Sequence, residues 1–448
     1  IRGRCVAGQL LLYAEGGFVN RLLITGLLLA AASPLVAQDP APPIDRGVRV
    51  GISYQPGTRP RLVMLPGPGL DSVRAIVGRD LDYSDRFEVL PLEPGGSTVT
   101  SAVNYQLYRT LGADYGIEVR ADAAGVVVRL HDIGGGTVRQ EQPFAIPAES
   151  APEFRMAVHR ISDEAVRWVT GTPGVAATRL LVLIDKRAYR VDSDGAAMTA
   201  VTPAAETILS PTWSPDGRSV AYTKFLDGTG PIMLQDLATG RSQRVAGTES
   251  QLNITPAFSP DGRTLAFART DQQGGTDIYA VNVVDQCCLR RLTVGRFADN
   301  LSPTYAPDGR RIAFVSTRPG TPQIYAMSSD GTDQELLAPY DYGATGASNA
   351  PEWSPDGASV AFHRDIDRSP QVFILEVGSR RFKQLTSSGR NSDPTWAPDG
   401  RHLAFVSDRS GRQQVWIIDT ETGRIRQIGL FGQVRLPHWS RRLGGVAR

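Results

Sequence analysis

Ser210-Pro211-Thr212-Trp213-Ser214-Pro215-Asp216-Gly217, followed at once by Val220-Ala221-Tyr222, is the stretch that decides how the chain is read. It returns as Thr255-Pro256-Ala257-Phe258-Ser259-Pro260-Asp261-Gly262 and as Ser302-Pro303-Thr304-Tyr305-Ala306-Pro307-Asp308-Gly309. Two more copies are Ala350-Pro351-Glu352-Trp353-Ser354-Pro355-Asp356-Gly357 and Asp393-Pro394-Thr395-Trp396-Ala397-Pro398-Asp399-Gly400. The turn aspartates fall 45, 47, 48 and 43 residues apart, and a self-similar period of that size marks a repeat architecture. Within a copy, proline presets φ for a type I turn, aspartate suits the next position, and glycine supplies the positive φ at which the second strand leaves. An aromatic residue before the turn and an apolar-Ala-aromatic triplet after it read as two antiparallel strands with one buried face. A third strand follows (277–281, 323–327, 371–375, 414–418), then an outer fourth such as 290–293 or 383–386. Four antiparallel strands per repeat make the blade of a β-propeller.

The two ends of the array explain its closure. Residues 179–184 resemble a second strand without a first, 187–192 a third, and 200–202 the end of a fourth. The missing first strand is Leu436-Pro437-His438-Trp439-Ser440, with its tryptophan 43 residues after Trp396. There Arg441-Arg442-Leu443 replaces Pro-Asp-Gly, because no second strand follows. Five complete repeats and one split repeat give six blades, and the split one removes the edges of an open array.

Ahead of the repeats, hydrophobic periodicity changes. Strands are expected at 48–52, 61–65, 87–90, 115–120, 126–132 and 137–142, and helices at 71–81, 105–111 and 153–170, with Asp71 as N-cap of the first. Interleaved strands and helices predict a small α/β sandwich. The expected fold is therefore multi-domain: an α/β N-terminal domain at 46–172, then a six-bladed β-propeller at 173–443 closed by pairing of its N- and C-terminal strands, with a tail at 444–448. Residues 1–37 read as leader and signal peptide: Asn20-Arg21, an apolar run at 22–32, then Ser33-Pro34-Leu35-Val36-Ala37, with the true start at Val19. Residues 38–45 are Pro/Ala-rich and read as a flexible mature tail.

Composition excludes more than it assigns. The chain has 448 residues, 41% hydrophobic, with net charge +2, and it shows no basic block of the kind that nucleic acid or an anionic membrane requires. It has no Gly-x-Ser-x-Gly elbow and no His-Glu-x-x-His, and its five histidines are scattered. No catalytic residue, cofactor site or metal site is expected. The five turn aspartates occupy equivalent turns and read as structural. Asp192-Ser193-Asp194-Gly195 resembles the opening of a calcium loop but lacks the distal glutamate, so it reads as a hairpin turn. Gly67-Pro68-Gly69 reads as a plain turn rather than an anion cradle. Cys5 lies in the leader; the adjacent Cys287 and Cys288 read as two thiols in a turn, with a vicinal disulfide as the alternative.

Each connection from an outer fourth strand to the next inner strand must cross one face of a propeller and end beside its channel. Polar residues just before each motif proline are expected to ring the channel mouth: Asn253 and Thr255, Asn300 and Ser302, Ser348 and Asn349, Asn391 and Asp393. Hydrogen-bonding groups on a rigid scaffold form a binding surface before a catalytic one.

The repeated Pro-x-aromatic-Ser/Ala-Pro-Asp-Gly motif, the preceding α/β domain, the signal sequence and the closing Gly432-Gln433-Val434-Arg435-Leu436-Pro437-His438-Trp439-Ser440 together resemble the TolB family, over about residues 48–443. That family is the periplasmic component of the Tol–Pal system. The resemblance implies a monomeric, non-enzymatic adaptor in the periplasm, without nucleic-acid binding or direct membrane insertion. It implies binding of the lipoprotein Pal through one propeller face and of TolA through the N-terminal segment, with other outer-membrane proteins as further partners. The implied role is support of outer-membrane invagination in division and of envelope integrity. The expected partner-binding set on the propeller is Leu252, Asn253, Thr255, Asn300, Leu301, Ser302, Asn349, Asn391 and Asp393. In the tail it is Gln38, Asp39, Pro40 and Ala41. The alternatives are a secreted propeller that binds wall carbohydrate or peptide, and a peptidase-associated propeller.

Overall fold

The structure, a computed structural model, describes residues 59–92, 103–248, 250–271, 274–295, 298–338 and 346–443. The leader, the tail with Gln38, Asp39, Pro40 and Ala41, and the strand expected at 48–52 lie outside the described residues. The first part runs β1 (Arg61–Met64), α1 (Asp71–Tyr83), β2 (Glu88–Leu90), α2 (Tyr105–Thr110), β3 (Tyr115–Asp122), β4 (Gly125–Asp132), β5 (Thr137–Ala145) and α3 (Phe154–Thr170). The sheet order is β2-β1-β3-β4-β5, with β1 parallel to both neighbours and β3, β4 and β5 antiparallel. Alternation of side chains along β1 feeds two cores. Leu62 packs with Val73, Val77 and Leu81 of α1 and with Phe154, Val158 and Ile161 of α3. Its neighbour Val63 packs with Tyr108 of α2, Ala113 and Ile133.

Asp71 is not the N-cap of α1. Leu70 holds that position at φ 57° with no capping side chain, and Asp71 sits in the first turn, where it accepts a 2.6 Å hydrogen bond from Arg74 Nη2. The residue after Gly69, itself at φ 60°, is already left-handed, so the cap falls one residue earlier than the sequence pattern places it.

Six four-stranded antiparallel sheets follow, as the repeat predicts. Blade one spans Thr207–Trp213, Ser219–Phe225, Ile232–Asp236 and Ser242–Ala246. The inner strands of blades two to five are Asn253–Phe258, Asn300–Tyr305, Ser348–Trp353 and Asn391–Trp396. The split blade joins Val434–Trp439 to Arg179–Ile184, Arg187–Asp192 and Thr199–Ala200. Each second-strand aromatic (Tyr222, Phe267, Phe314, Phe362, Phe405) is fully buried between sheets.

The turns behave as their chemistry requires. Ser214 Oγ donates to Asp216 Oδ1 at 2.6 Å, the Arg218 amide donates to the same oxygen at 3.0 Å, and Gly217 sits at φ 70°. Successive turns also pack against one another. A Cβ on Gly262 would lie 3.7 Å from Pro215, and one on Gly309 would lie 3.6 Å from Pro260. At the closing blade, which has no Pro-Asp-Gly, Leu443 takes the proline's place: a Cβ on Gly217 would come within 2.6 Å of it. Cys287 and Cys288 are joined in a vicinal disulfide, which corrects the reading as two free thiols.

Candidate interaction face

Each inner strand carries a proline, which has no N–H for the ladder, so the strand must bulge there. In every blade the register slips at this point, and the residue before the proline is left-handed. These residues are Ser210 (φ 47°), Thr255 (51°), Ser302 (50°), Ala350 (50°), Asp393 (51°) and Leu436 (48°). None is glycine, and each such residue costs on the order of 1–2 kcal/mol in a left-handed conformation. Sixfold repetition of a bulge beside a channel is a built feature of the scaffold. The bulges lie on the channel wall toward the end opposite the Pro-Asp-Gly turns. Sequence reading picked out the prolines but not the bulges; a proline inside a strand pattern was the signal available.

The expected ring of polar residues divides into two groups. Thr255, Ser302, Asn349 and Asp393 are half-buried, as are Leu252 and Leu301. The Ser302 amide donates to Thr255 Oγ1 of the preceding blade at 3.2 Å, and the Asp393 amide donates to His363 Nδ1 at 3.3 Å. Leu301 packs against the cores on both sides of its strand. Asn253, Asn300, Ser348 and Asn391, by contrast, are fully buried, so their side chains do not reach a surface.

Those four are staples inside the ring. Asn300 Nδ2 donates to Asp277 Oδ1 at 2.9 Å, Ser348 Oγ to Gln323 Oε1 at 3.1 Å, and Asn391 Nδ2 to Gln371 Oε1 at 2.8 Å. Each bond runs from an inner strand to the third strand of the preceding blade. Asn253 donates instead to the Gly230 carbonyl oxygen at 2.9 Å. Arginines complete the staples: Arg269 Nε donates to Asn253 Oδ1 and Arg409 Nη2 to Asn391 Oδ1, at 2.9 and 2.8 Å. The same guanidiniums stack on blade aromatics, Arg269 at 4.8 Å from the Tyr279 ring centre and Arg409 at 5.0 Å from Trp416. Burial pulls both below the ordinary arginine value. A buried asparagine held on both sides of its amide satisfies a seam between sheets that apolar packing alone would leave with unpaired polar groups.

One layer deeper, the residue between proline and aromatic passes hydrogen bonds around the channel. The Trp396 amide donates to Glu352 Oε1 at 3.0 Å, the Trp439 amide to Thr395 Oγ1 at 3.0 Å, and the Trp213 amide to His438 Nδ1 at 3.1 Å. Burial pushes Glu352 up to about 7 and His438 down to about 4. A lowered value agrees with the geometry, because a ring nitrogen that accepts an amide hydrogen must be unprotonated.

The opposite face is occupied. The C-terminal end of α1 meets blade five beside its turns: Arg401 Nη2 donates to the Asp85 carbonyl oxygen at 3.1 Å, and Arg424 Nη2 donates to Asp82 Oδ2 at 2.8 Å. Asp399 therefore differs from the other turn aspartates. It also binds His402 Nδ1 at 2.6 Å, and the histidine's charge and hydrogen bond hold its carboxyl well below the ordinary range despite burial. The turn at Asp192-Ser193-Asp194-Gly195 is a hairpin turn, yet both carboxylates are buried against α3. Two clusters bring histidine and aspartate donors together, Asp80-His159-Asp194 and Asp85-His402-Asp419; arginines already engage Asp194, Asp85 and Asp419, and Ser162 Oγ donates to Asp80. No helix among the described residues is long and apolar enough to cross a membrane.

The family profile for the TolB beta propeller domain matches residues 166–343 and 341–445. The Tol-Pal system protein TolB of Bordetella avium (strain 197N) is 34% identical over 231 residues, 48% of this chain and 50% of that protein. The Tol-Pal system protein TolB of Xanthomonas oryzae pv. oryzae (strain PXO99A) is 31% identical over 240 residues, 49% of this chain and 54% of that one. The chain thus spans about half the length of the curated relatives it matches. The crystal structure of TolB from Acinetobacter baumannii superposes with a TM-score of 0.75 at 24% identity, over 87% of this chain and 98% of that chain. At that identity the likeness concerns the fold.

Proposed function

The chain belongs to the TolB β-propeller family, and on that premise we propose that it is a non-enzymatic adaptor of the Tol–Pal system, working in the periplasm. Its propeller face binds the lipoprotein Pal, and its N-terminal segment, with Gln38, Asp39, Pro40 and Ala41, binds TolA. By these two attachments it supports outer-membrane invagination and envelope integrity. The domains that serve these roles are 46–172 and 173–443. The observation that carries the reading is the rim of six left-handed bulges at the channel end opposite the turns, which no described residue of the α/β part contacts through a hydrogen bond or ion pair. A rim held by ladders and staples presents half-buried polar groups with little ordering cost, which favours a protein partner over chemistry. The contact set on this face is Leu252, Thr255, Leu301, Ser302, Asn349 and Asp393.

The test is a binding measurement between the folded chain and Pal from the same organism, by calorimetry or pull-down. Saturable binding that weakens on changing the rim supports the adaptor reading. A folded chain that does not bind Pal overturns it. Deleting residues 38–45 tests coupling between the tail and the face: an altered Pal affinity is expected, and an unchanged one removes the coupling.

A further inference from the structure

Two histidines join the α/β part to the propeller, and they do so reciprocally. His159 belongs to α3 and is fully buried. Its Nδ1 lies 2.7 Å from Asp80 Oδ2 of α1, and its Nε2 faces Asp194 Oδ2 and Asp192 Oδ2 of the split blade at 3.8 and 3.9 Å. His402 belongs to blade five and is also fully buried. Its Nδ1 lies 2.6 Å from Asp399 Oδ2 of its own blade, and its Nε2 lies 3.3 Å from Asp85 Oδ2, at the end of α1. Each part of the molecule thus offers a histidine to carboxylates of the other.

An imidazolium turns positive charge toward carboxylates on both sides of each ring: both nitrogens of His402 are within hydrogen-bond distance of one, whereas Nε2 of His159 makes no hydrogen bond and meets Asp192 and Asp194 through charge alone. A neutral ring has one N–H and one lone pair, so one nitrogen would turn its lone pair toward a carboxylate. His363 and His438 show the converse: each accepts a backbone amide hydrogen, and each is held below the ordinary histidine value. The charged neighbours agree with the contrast. Around His159 stand Asp80 and Arg79 of α1, Arg155 and Asp163 of α3, and Asp192, Asp194 and Arg179 of the propeller. Around His402 stand Asp82 and Asp85 at the end of α1 and Arg59 before β1. Blade five adds Asp399, Arg401, Asp419, Glu421, Arg424 and Arg426. Burial opposes the charge on both histidines, yet their carboxylate partners raise both above the ordinary value.

We infer that His159 and His402 are proton-operated clasps that lock the α/β part onto the turn face of the propeller. Each clasp is closed when its imidazole is protonated and loosens when the proton leaves. Because the folded state holds these protons more tightly than the unfolded chain, the contribution is complete below about pH 6.5. It is lost as the pH rises through the raised folded values. This regulation is independent of which partner the opposite face binds.

Hydrogen–deuterium exchange of the full chain, corrected for intrinsic rate, follows the clasps at residues 71–83 and 399–402. Opening of these segments is expected to increase at least tenfold between pH 6 and pH 9. The paired substitution His159→Gln and His402→Gln is expected to lose most of this increase, keeping only the part contributed by Asp163 of α3, which burial pushes up to about 7 at the same joint. Wild-type opening that ignores pH overturns the inference, and so does the same pH dependence in the variant. Should the variant fail to fold, NMR titration of the wild-type histidines decides: two fully buried rings must titrate above about 6.5, and titration at or below that value overturns the clasps.

Discussion

Asn391 shows how a residue's chemistry can be read correctly and its address wrongly. Its type and its place before a motif proline suggested a surface hydrogen-bonding group, whereas its amide donates to Gln371 and its carbonyl accepts from Arg409, with no exposure. Sequence cannot separate these roles, because the partners lie 20 residues away in a strand of the preceding blade and 18 away in the turn after the next strand. Asn391→Ala leaves buried Gln371 and half-buried Arg409 each short of a partner and is expected to lower stability by about 1–3 kcal/mol in denaturant unfolding. Ser302→Arg is expected to leave the melting temperature within a few degrees and to weaken Pal binding at least tenfold by calorimetry. Glu352 is a residue whose charge the fold opposes. Its folded value of about 7 stands above the unfolded carboxyl's ~4.3, so the cost of ionising it grows as pH rises through that window. Glutamine keeps the oxygen that accepts from Trp396 and Thr395. Glu352→Gln is therefore expected to stabilise the protein by about 2 kcal/mol at pH 8 and scarcely at all near pH 4.5, as read from melting curves at both pH values.

Among elements, the blade is the unit in which sequence and structure agree best. The apolar-Ala-aromatic triplet of each second strand puts small and large side chains in the positions that let neighbouring sheets approach, and all five aromatics are buried. Phe314→Ala removes one of these rings from between two sheets and is expected to cost about 3–5 kcal/mol in chemical denaturation. The split blade was legible for the same local reason, since Pro437 and Trp439 keep motif register. Its energetics were not, because they rest on pairs such as His438 with Leu181 and on the Ser440 Oγ hydrogen bond from the Arg179 amide, 261 residues apart in sequence. A chain ending at Gly432 would leave Arg179–Ile184 as an unpaired edge between blades one and five. It is expected to run as aggregates in size-exclusion chromatography, where the full chain is expected to run as a monomer. The inner-strand bulges belong to this scale too. Each proline announced a break in the ladder, but only strand pairing shows that the break turns the preceding residue left-handed.

For the whole molecule, among the described residues, the α/β sandwich meets the turn face of the ring and leaves the bulge face uncovered. The occupied face is held by Arg401 and Arg424 against the end of α1 and by the two histidine clasps. The linker adds to this, since Asp163 accepts from the Ala176 and Ala177 amides at 2.7 and 3.0 Å while burial pushes its carboxyl up to about 7. The blade count, the closure, the helix positions and the family resemblance were determined by sequence alone. They rest on interactions of short range along the chain: a turn needs its own proline, aspartate and glycine, and a strand needs its own alternation. Tertiary structure alone decided which polar residues are surface and which are staples, which histidines sit among carboxylates, and which face the α/β part takes. Those properties depend on burial and on partners brought from other elements, from 16 residues away for Arg269 and Asn253 to 317 for Asp85 and His402, and no local pattern encodes them.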